Sequence, residues 1–359
     1  MARPIVIAAG GTGGHFFPAE ALAASLVRRG ERVVLMTDAR RAAIPSAVFA
    51  GKEIHVIRGA GLAGRSLASA ARGALGLAAG AMQARRLLAE MNAAAVVGFG
   101  GYPAVAPVLA ARMLRARPAI VLHEQNAVAG RANRLLAKLA DRFAASFPGT
   151  VHAPTGAVTL GNPVRPEIAA LAGRGYAPPG EGGIRVLVLG GSLGARVLSD
   201  VVPAALAMHP YRARLRVTQQ CRAEDLDRVR AAYDAAGIAA ELSPFFADVA
   251  RRLAAAHLVI ARAGASTVSE LAVAGLPAIL VPLPGAIDDH QSANARALAG
   301  ATVMPQPGFT PDALAAALAG LDDARLSAMA AQAATVGVPD AAERLADLVM
   351  SLVAQEARA

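Results

Sequence analysis

The sequence predicts an α/β protein of two Rossmann-like domains facing a central cleft, and three observations carry that expectation. Apolar, β-prone runs alternate with long helical stretches, the order of strand, glycine-rich turn and helix starts twice, and 359 residues exceed what one hydrophobic core comfortably serves.

Runs at 5–9, 33–36, 95–97 and 120–122, and then at 186–189, 215–217, 258–261 and 278–281, read as buried parallel strands with helices on both faces. The strand–turn–helix pattern occurs at 5–14 and restarts at 186–194. Between them Gly161-Asn162-Pro163-Val164-Arg165-Pro166, followed by the glycine-spaced stretch 173–183, marks the seam. The expected domains are therefore residues 1–163 and 164–339. A terminal helix within 340–359, following the break Gly337-Val338-Pro339, is expected to cross back onto the first domain. Open α/β sheets bind ligands beyond the carboxyl ends of their strands, so the chemistry is sought there.

Composition narrows the function classes. The hydrophobic fraction is 55%, but much of it is alanine, and no apolar run approaches the ~18 residues of a spanning helix. Residues 1–9 read as a first strand, too short for a signal-peptide core. Cys221 is the single cysteine, so an intramolecular disulfide is excluded; it reads as a small packing residue in a reducing compartment. A net charge of +10 favours polyanions or acidic lipid. Nucleic acid is disfavoured as a partner, because only 4% of residues are aromatic and neither zinc-finger spacing nor a lysine-rich tail is present. The seven histidines show no metal-ligand spacing, and no metal site is expected.

Three strand-to-helix turns suit an anionic ligand. The first, Gly10-Gly11-Thr12-Gly13-Gly14-His15, reads either as a tight turn or as a loop whose amides meet a phosphate. Asp38 stands near the position where a dinucleotide fingerprint expects an acid, which keeps an NAD-dependent reading open. The second turn is Gly190-Gly191-Ser192-Leu193-Gly194-Ala195, where Ser192 adds a hydroxyl to the amides. The third is Arg262-Ala263-Gly264-Ala265-Ser266-Thr267-Val268-Ser269-Glu270-Leu271. Its hydroxyls read as helix caps or as ligand donors, and Glu270 is expected on the first turn, where a carboxylate can accept both hydroxyls of a ribose. Polar runs at strand ends, His123-Glu124-Gln125-Asn126 and Asp288-Asp289-His290-Gln291-Ser292-Ala293-Asn294, read as solvated loops or as groups for a polyhydroxylated ligand. Asp225-Leu226-Asp227 resembles a metal-binding D-x-D, but it falls in an amphipathic stretch and reads as surface charge.

Taken together these residues closely resemble the MurG family of UDP-N-acetylglucosamine transferases of peptidoglycan synthesis. The resemblance spans nearly the whole chain and rests on seven ordered motifs: GGTGGHFFP at 10–18, GFGGYP at 98–103, HEQNAVAGRAN at 123–133, GNPVR at 161–165, GGSLGA at 190–195, RAGASTVSEL at 262–271 and DDHQSANA at 288–295. Leu193 stands where the family usually carries Gln, and Ala104 where a small hydroxyl residue is common. The resemblance implies the GT-B glycosyltransferase fold, an N-terminal domain that faces acceptor and membrane, and a C-terminal domain that holds UDP-N-acetylglucosamine. It implies that Phe246 offers backbone groups to uracil, that Glu270 holds the ribose, and that Ser192 with Ala265, Ser266, Thr267, Val268 and Ser269 meets the diphosphate. Thr12, Gly13, Gly14, Asn126, Arg165 and Gln291 would surround the sugar, with Tyr102 on the acceptor side. The implied acceptor is N-acetylmuramoyl pentapeptide on undecaprenyl diphosphate, whose 4-hydroxyl attacks with inversion, without a cofactor.

That reaction needs a base at the hydroxyl and positive potential at the departing diphosphate, which helix N-termini and an arginine can supply. An imidazole suits the first task, and His15 is the candidate; capping its helix or donating to the acceptor diphosphate are its other readings. Glu124 is the substitute base. A UDP-N-acetylglucosamine 2-epimerase of the same fold and a non-catalytic UDP-sugar-binding scaffold are the alternative functions. Within residues 61–86, Arg65, Arg72, Arg85 and Arg86 frame small and apolar residues including Leu67, Leu75, Leu77 and Met82, with Arg112, Arg115 and Arg117 further on. Beside an anionic leaflet this reads as a peripheral docking surface on the cytoplasmic face of a bacterial inner membrane; an apolar stripe packed on the sheet is the other reading. The oligomeric state is left open.

Overall fold

The computed structural model describes residues 2–11, 13–42, 46–58, 67–180, 183–191 and 194–356, with side chains left undescribed at 40 and 67–71. Its chain divides into two compact units, Met1–Arg165 with Asp340–Ala359, and Pro166–Pro339.

The first unit runs β1 (Ile5–Ala8), α1 (Gly13–Arg28), β2 (Val33–Thr37), α2 (Ala39–Ala42), β3 (Ile54–Val56), α3 (Leu67–Glu90), β4 (Ala95–Gly98), α4 (Gly101–Arg112), β5 (Ala119–Glu124), α5 (Arg131–Leu136), β6 (Arg142–Ala145) and β7 (Val158–Thr159). All pairings in its seven-stranded sheet are parallel, in the order β3-β2-β1-β4-β5-β6-β7. Strand residues alternate between the two faces. Ile5, Ile7, Val33 and Leu35 join one cluster with Phe16, Leu22 and Leu26 of α1. Val6, Ala8, Val34 and Met36 join the opposite cluster with Ala84 and Leu88 of α3 and Val108 of α4. Burial on both faces explains why these strands read as continuous apolar runs.

The second unit runs α6 (Pro166–Ala169), β8 (Arg185–Leu189), α7 (Arg196–Ala207), β9 (Arg216–Gln220), α8 (Leu226–Ala235), β10 (Ala239–Ser243), α9 (Val249–Ala255), β11 (Leu258–Ala261), α10 (Ala265–Ala274), β12 (Ala278–Leu280), α11 (His290–Ala297), β13 (Thr302–Val303), α12 (Pro311–Ala319) and α13 (Asp323–Thr335). Its six strands are parallel in the order β10-β9-β8-β11-β12-β13. Cys221 is buried among Val217, Tyr233 and their neighbours, and that burial pushes its thiol pKa up, against a nucleophilic role. The expected surface charge of the D-x-D run holds for Asp227 only. Asp225 is buried at the start of α8 and accepts a 2.8 Å hydrogen bond from Arg228.

The last helix, α14 (Ala341–Glu356), belongs to the first unit and packs on α1. Arg29 pairs with Glu343 at 2.5 Å and with Asp347 at 2.6 Å, but such exposed pairs contribute only about 0–1 kcal/mol. Burial decides instead, because Leu345, Ala346, Val349 and Leu352 complete the cluster under β1 and β4. Leu345→Ala is expected to destabilise this unit by roughly 2–5 kcal/mol, read from a denaturant midpoint. A midpoint unchanged from wild type would show that the buried Leu345 side chain does not contribute to the stability of this unit.

Candidate active site

In each sheet the strand order reverses beside the first strand of the unit, between β1 and β4 and between β8 and β11. Loops diverge at such a switch point, leaving room for a ligand at the strands' carboxyl ends. Both glycine turns sit there, after β1 and after β8.

In the first unit the turn is held by Asp38. Its Oδ2 accepts from the Gly11 amide at 2.8 Å, and a Cβ at Gly10 would stand 2.5 Å from the same oxygen and 2.8 Å from Pro103. That carboxylate is spent on its own loop, which removes the acid an NAD site needs for a ribose. Thr12 lies outside the described residues. Gly13 opens α1, where a side chain would strike the Phe17 ring at 2.7 Å, and Gly14 is exposed beside it.

In the first turn of α1, His15 sends Nδ1 to within 2.7 Å of Gln125 Oε1. Gln125 Nε2 is 3.0 Å from both the carbonyl and Nδ1 of His123, and His123 Nε2 is 3.1 Å from the Gly161 carbonyl. Burial pushes the His123 pKa down to about 4, so its ring is neutral near pH 7. The other edge of His15 faces the turn before α4, where a Cβ at Gly101 would lie 3.8 Å from His15 Nε2. Tyr102 follows in the first turn of α4, 51% exposed.

Glu124 occupies a different role from the substitute base expected of it. Oε1 accepts from the Asn126 backbone at 3.0 Å and side chain at 3.2 Å; Oε2 accepts from the Gly130 amide at 2.8 Å and Asn133 Nδ2 at 2.9 Å. A buried carboxylate with four N–H donors holds the loop 124–133 in place and has no lone pair to spare for a substrate proton. Asn126, half-buried, is positioned by that carboxylate. Arg165 lies with its guanidinium carbon 5.1 Å from the Phe17 ring centroid, at the start of α1.

The roles implied by the family resemblance do not include His123, Gln125, Asn133 or Asn162, which the fold places here. The first two alternate on one face at the end of β5, a period-two signal that was available. Asn162 is buried, and neither of its amide atoms has a hydrogen-bond partner among the described residues.

In the second unit the turn after β8 requires its glycines. A Cβ at Gly190 would lie 2.6 Å from the Ala195 amide, Gly191 has φ +79°, and Gly194 has φ +67° against Arg222. Ser192 and Leu193 lie outside the described residues. Arg262, directly after β11, donates to the carbonyls of Val281 and Pro282 and to Gln306 Oε1, at 3.1, 3.2 and 2.6 Å. All three acceptors are neutral, and burial lowers the guanidinium pKa.

Helix α10 starts at Ala265, with Gly264 as an N-cap that supplies no side-chain hydrogen bond. The hydroxyls of Ser266, Thr267 and Ser269 are therefore not N-caps, and the first-turn amides have no intrahelical partner. Ser266 and Thr267 are half-buried, whereas Ala265, Val268 and Ser269 are buried. Glu270 sits on the second turn, not the first as expected, and is 8% exposed. It falls one turn below Ser266 on the same face of the helix. Gln291 on α11 accepts from the Leu283 amide at 3.0 Å, and buried Asn294 donates to the Ala263 carbonyl at 3.1 Å, tying α11 to the start of α10. The turn before α11 puts Asp288 and Asp289 at φ +53° and +50°, a left-handed pair rare for residues with a side chain. Phe246 is buried with the Arg252 guanidinium 3.9 Å from its ring centroid.

Residues 5–145 match the glycosyltransferase family 28 N-terminal domain and residues 185–345 its C-terminal domain. The chain is 61% identical to a UDP-N-acetylglucosamine--N-acetylmuramyl-(pentapeptide) pyrophosphoryl-undecaprenol N-acetylglucosamine transferase of Granulibacter bethesdensis, covering 97% of this chain and 93% of that protein. The crystal structure of Acinetobacter baumannii MurG superposes with a TM-score of 0.79 at 30% identity, covering 98% of this chain and 100% of that one. A UDP-GlcNAc 2-epimerase from Neisseria meningitidis, bound to UDP-GlcNAc, superposes at 0.69 with 10% identity, covering 98% and 100% of the two chains, which shows a shared fold alone. The fold is GT-B, and the chain belongs to glycosyltransferase family 28 and, within it, to the MurG family of UDP-N-acetylglucosamine transferases.

Proposed function

We propose that this protein transfers N-acetylglucosamine from UDP-N-acetylglucosamine to the 4-hydroxyl of N-acetylmuramoyl pentapeptide on undecaprenyl diphosphate, inverting the anomeric carbon and releasing UDP. The observation that carries the reading is 61% identity along nearly the entire chain to a transferase of that name. Epimerisation has only a shared fold behind it.

In this reading the first unit serves the acceptor and the second the donor. The His15 Nε2 edge takes the proton of the attacking hydroxyl, with Tyr102 on the acceptor side. As the bond from hydroxyl oxygen to anomeric carbon forms, the bond to the diphosphate breaks and UDP leaves with the electron pair. First-turn amides of α10, with the Ser192 loop and the hydroxyls of Ser266, Thr267 and Ser269, meet the diphosphate; Arg262, whose acceptors Val281, Pro282 and Gln306 are neutral, adds positive charge. Glu270 takes the ribose and the Phe246 backbone the uracil. Thr12, Gly13, Gly14, Asn126, Arg165 and Gln291 contact the sugar. Incubating the protein with labelled UDP-N-acetylglucosamine and a lipid-diphosphate muramoyl acceptor is expected to move label into the organic phase. Label that stays aqueous, or appears as the 2-epimer, sinks the assignment.

The acceptor cannot leave its leaflet, and α3 is the proposed docking surface, on the cytoplasmic face. No helix among the described residues is long and apolar enough to cross a membrane. Leu75 is 71% exposed and Met82 53% exposed, and with Ala79 they form one stripe flanked by Arg72 and Arg86 at helical spacing. Leu77 turns inward to the core, and Arg117 is committed to Asp141 at 2.8 Å. Arg65 and the side chain of Leu67 lie outside the described residues. Each cation near an anionic leaflet contributes about 1 kcal/mol. The protein is expected to pellet with anionic vesicles but not zwitterionic ones, to be released by salt, and to bind less after Arg72→Glu with Arg85→Glu. Equal binding to neutral vesicles would refute this surface.

A further inference from the structure

We infer that Gln125 and His123 are positioning residues that hold His15 as its Nδ1–H tautomer, leaving the Nε2 lone pair turned toward the acceptor hydroxyl. The inference rests on His15 being the base, as proposed above.

The innermost group is the Gly161 carbonyl, which can only accept, so the His123 nitrogen 3.1 Å away, Nε2, carries the proton. The His123 ring is fully buried, with its centroid 5.3 Å from that of Phe99, and its pKa of about 4 keeps it neutral. Its Nδ1 is therefore a lone pair. Gln125 presents one amide atom to that lone pair and to the His123 carbonyl, each at 3.0 Å. Two acceptors demand the NH₂ group there. Turning the amide over would set its oxygen against both acceptors in a site that is 1% exposed, leaving a carbonyl without a donor. Gln125 Oε1 must then be the atom 2.7 Å from His15 Nδ1, and an amide oxygen only accepts. The proton of neutral His15 sits on Nδ1.

Nε2 is left as the acceptor, and its edge lies against Gly101 at the turn before α4. A free imidazole in water favours the opposite tautomer, with hydrogen on Nε2, which could not take a proton from the hydroxyl. When Nε2 does take that proton, the imidazolium keeps its Nδ1–H on Gln125 Oε1, and the amide stabilises the charge without accepting the proton. A neutral amide, itself oriented by a neutral buried histidine, thus does the orienting that a carboxylate does in a Ser-His-Asp triad.

The test is nitrogen NMR of the full-length protein labelled in histidine, with His15 assigned through His15→Gln. Above neutral pH, the wild-type spectrum is expected to show His15 protonated on Nδ1 and His123 protonated on Nε2. In Gln125→Leu the His15 signal should move toward the Nε2–H form, and kcat should fall by roughly 10- to 100-fold while the donor KM changes by less than about twofold. A wild-type His15 with its proton on Nε2 overturns the inference whatever the variants do, as does a Gln125→Leu protein with unchanged tautomer and kcat. Failure of the base assignment is separately visible: His15→Ala would keep its turnover while the wild-type spectrum still reported the tautomer.

Discussion

His15→Ala is expected to lower the transfer rate by roughly 10²- to 10⁴-fold while leaving UDP affinity nearly unchanged. The asymmetry follows from the role proposed for the side chain. A base interacts with the acceptor hydroxyl only as its proton departs, so removing it raises the barrier and spares the ground state. His15 also lies in the first unit, at the start of α1, and not among the α10 and β8 turn residues proposed for the donor. The alanine leaves Gln125 Oε1 without its 2.7 Å donor, at a cost of about 1–3 kcal/mol in stability, so thermal melting accompanies the kinetics. Single-turnover measurements with saturating donor separate the cases. A variant that binds UDP normally and retains most of its turnover would place the base elsewhere, and Glu124 is a poor candidate for it with four N–H donors on its carboxylate.

The inner strands were legible because burial on both faces leaves a continuous apolar run. All eight expected runs became β1, β2, β4, β5, β8, β9, β11 and β12, with ends shifted by up to a few residues. The strands that escaped notice, β3, β7, β10 and β13, close the sheet edges, and β6 lies one place inside. None of the edge four is buried throughout, and β7 and β13 have two residues each, so they are strands because a neighbour offers a ladder, not because their own pattern demands it. The same limit applied at the site. Glycine turns and the helix start at Ala265 follow from local rules, whereas the bond from Gln125 to His15 joins residues 110 positions apart. Asp38 shows the limit in reverse: sequence spacing suggested a ribose ligand, and the folded loop takes the carboxylate for the Gly11 amide. Glu124 likewise looked like spare acid until Asn126, Gly130 and Asn133 surrounded it.

Glu270→Ala is expected to weaken UDP binding by about 1.5–3 kcal/mol, roughly 10- to 150-fold in Kd, because charge-assisted hydrogen bonds to the ribose hydroxyls would be lost. The position of the residue favours a ligand contact over a purely local one. Glu270 lies one turn below Ser266 on α10, so a diphosphate at the first-turn amides would bring a ribose within reach of the next turn down. The residue is 8% exposed, so the contact would form with little competing water, which strengthens it relative to a surface carboxylate. Removing a buried carboxylate can also disturb the helix, and affinity alone does not separate the two effects. Comparing UDP with 2′-deoxy-UDP in both proteins does, as a double-mutant cycle. Wild type should discriminate against the deoxy ligand, and Glu270→Ala should have lost most of that discrimination, because the carboxylate that recognised the hydroxyl is gone. Equal discrimination in the two proteins by calorimetry, or a UDP affinity unchanged by the substitution, would mean that the ribose is held by another residue.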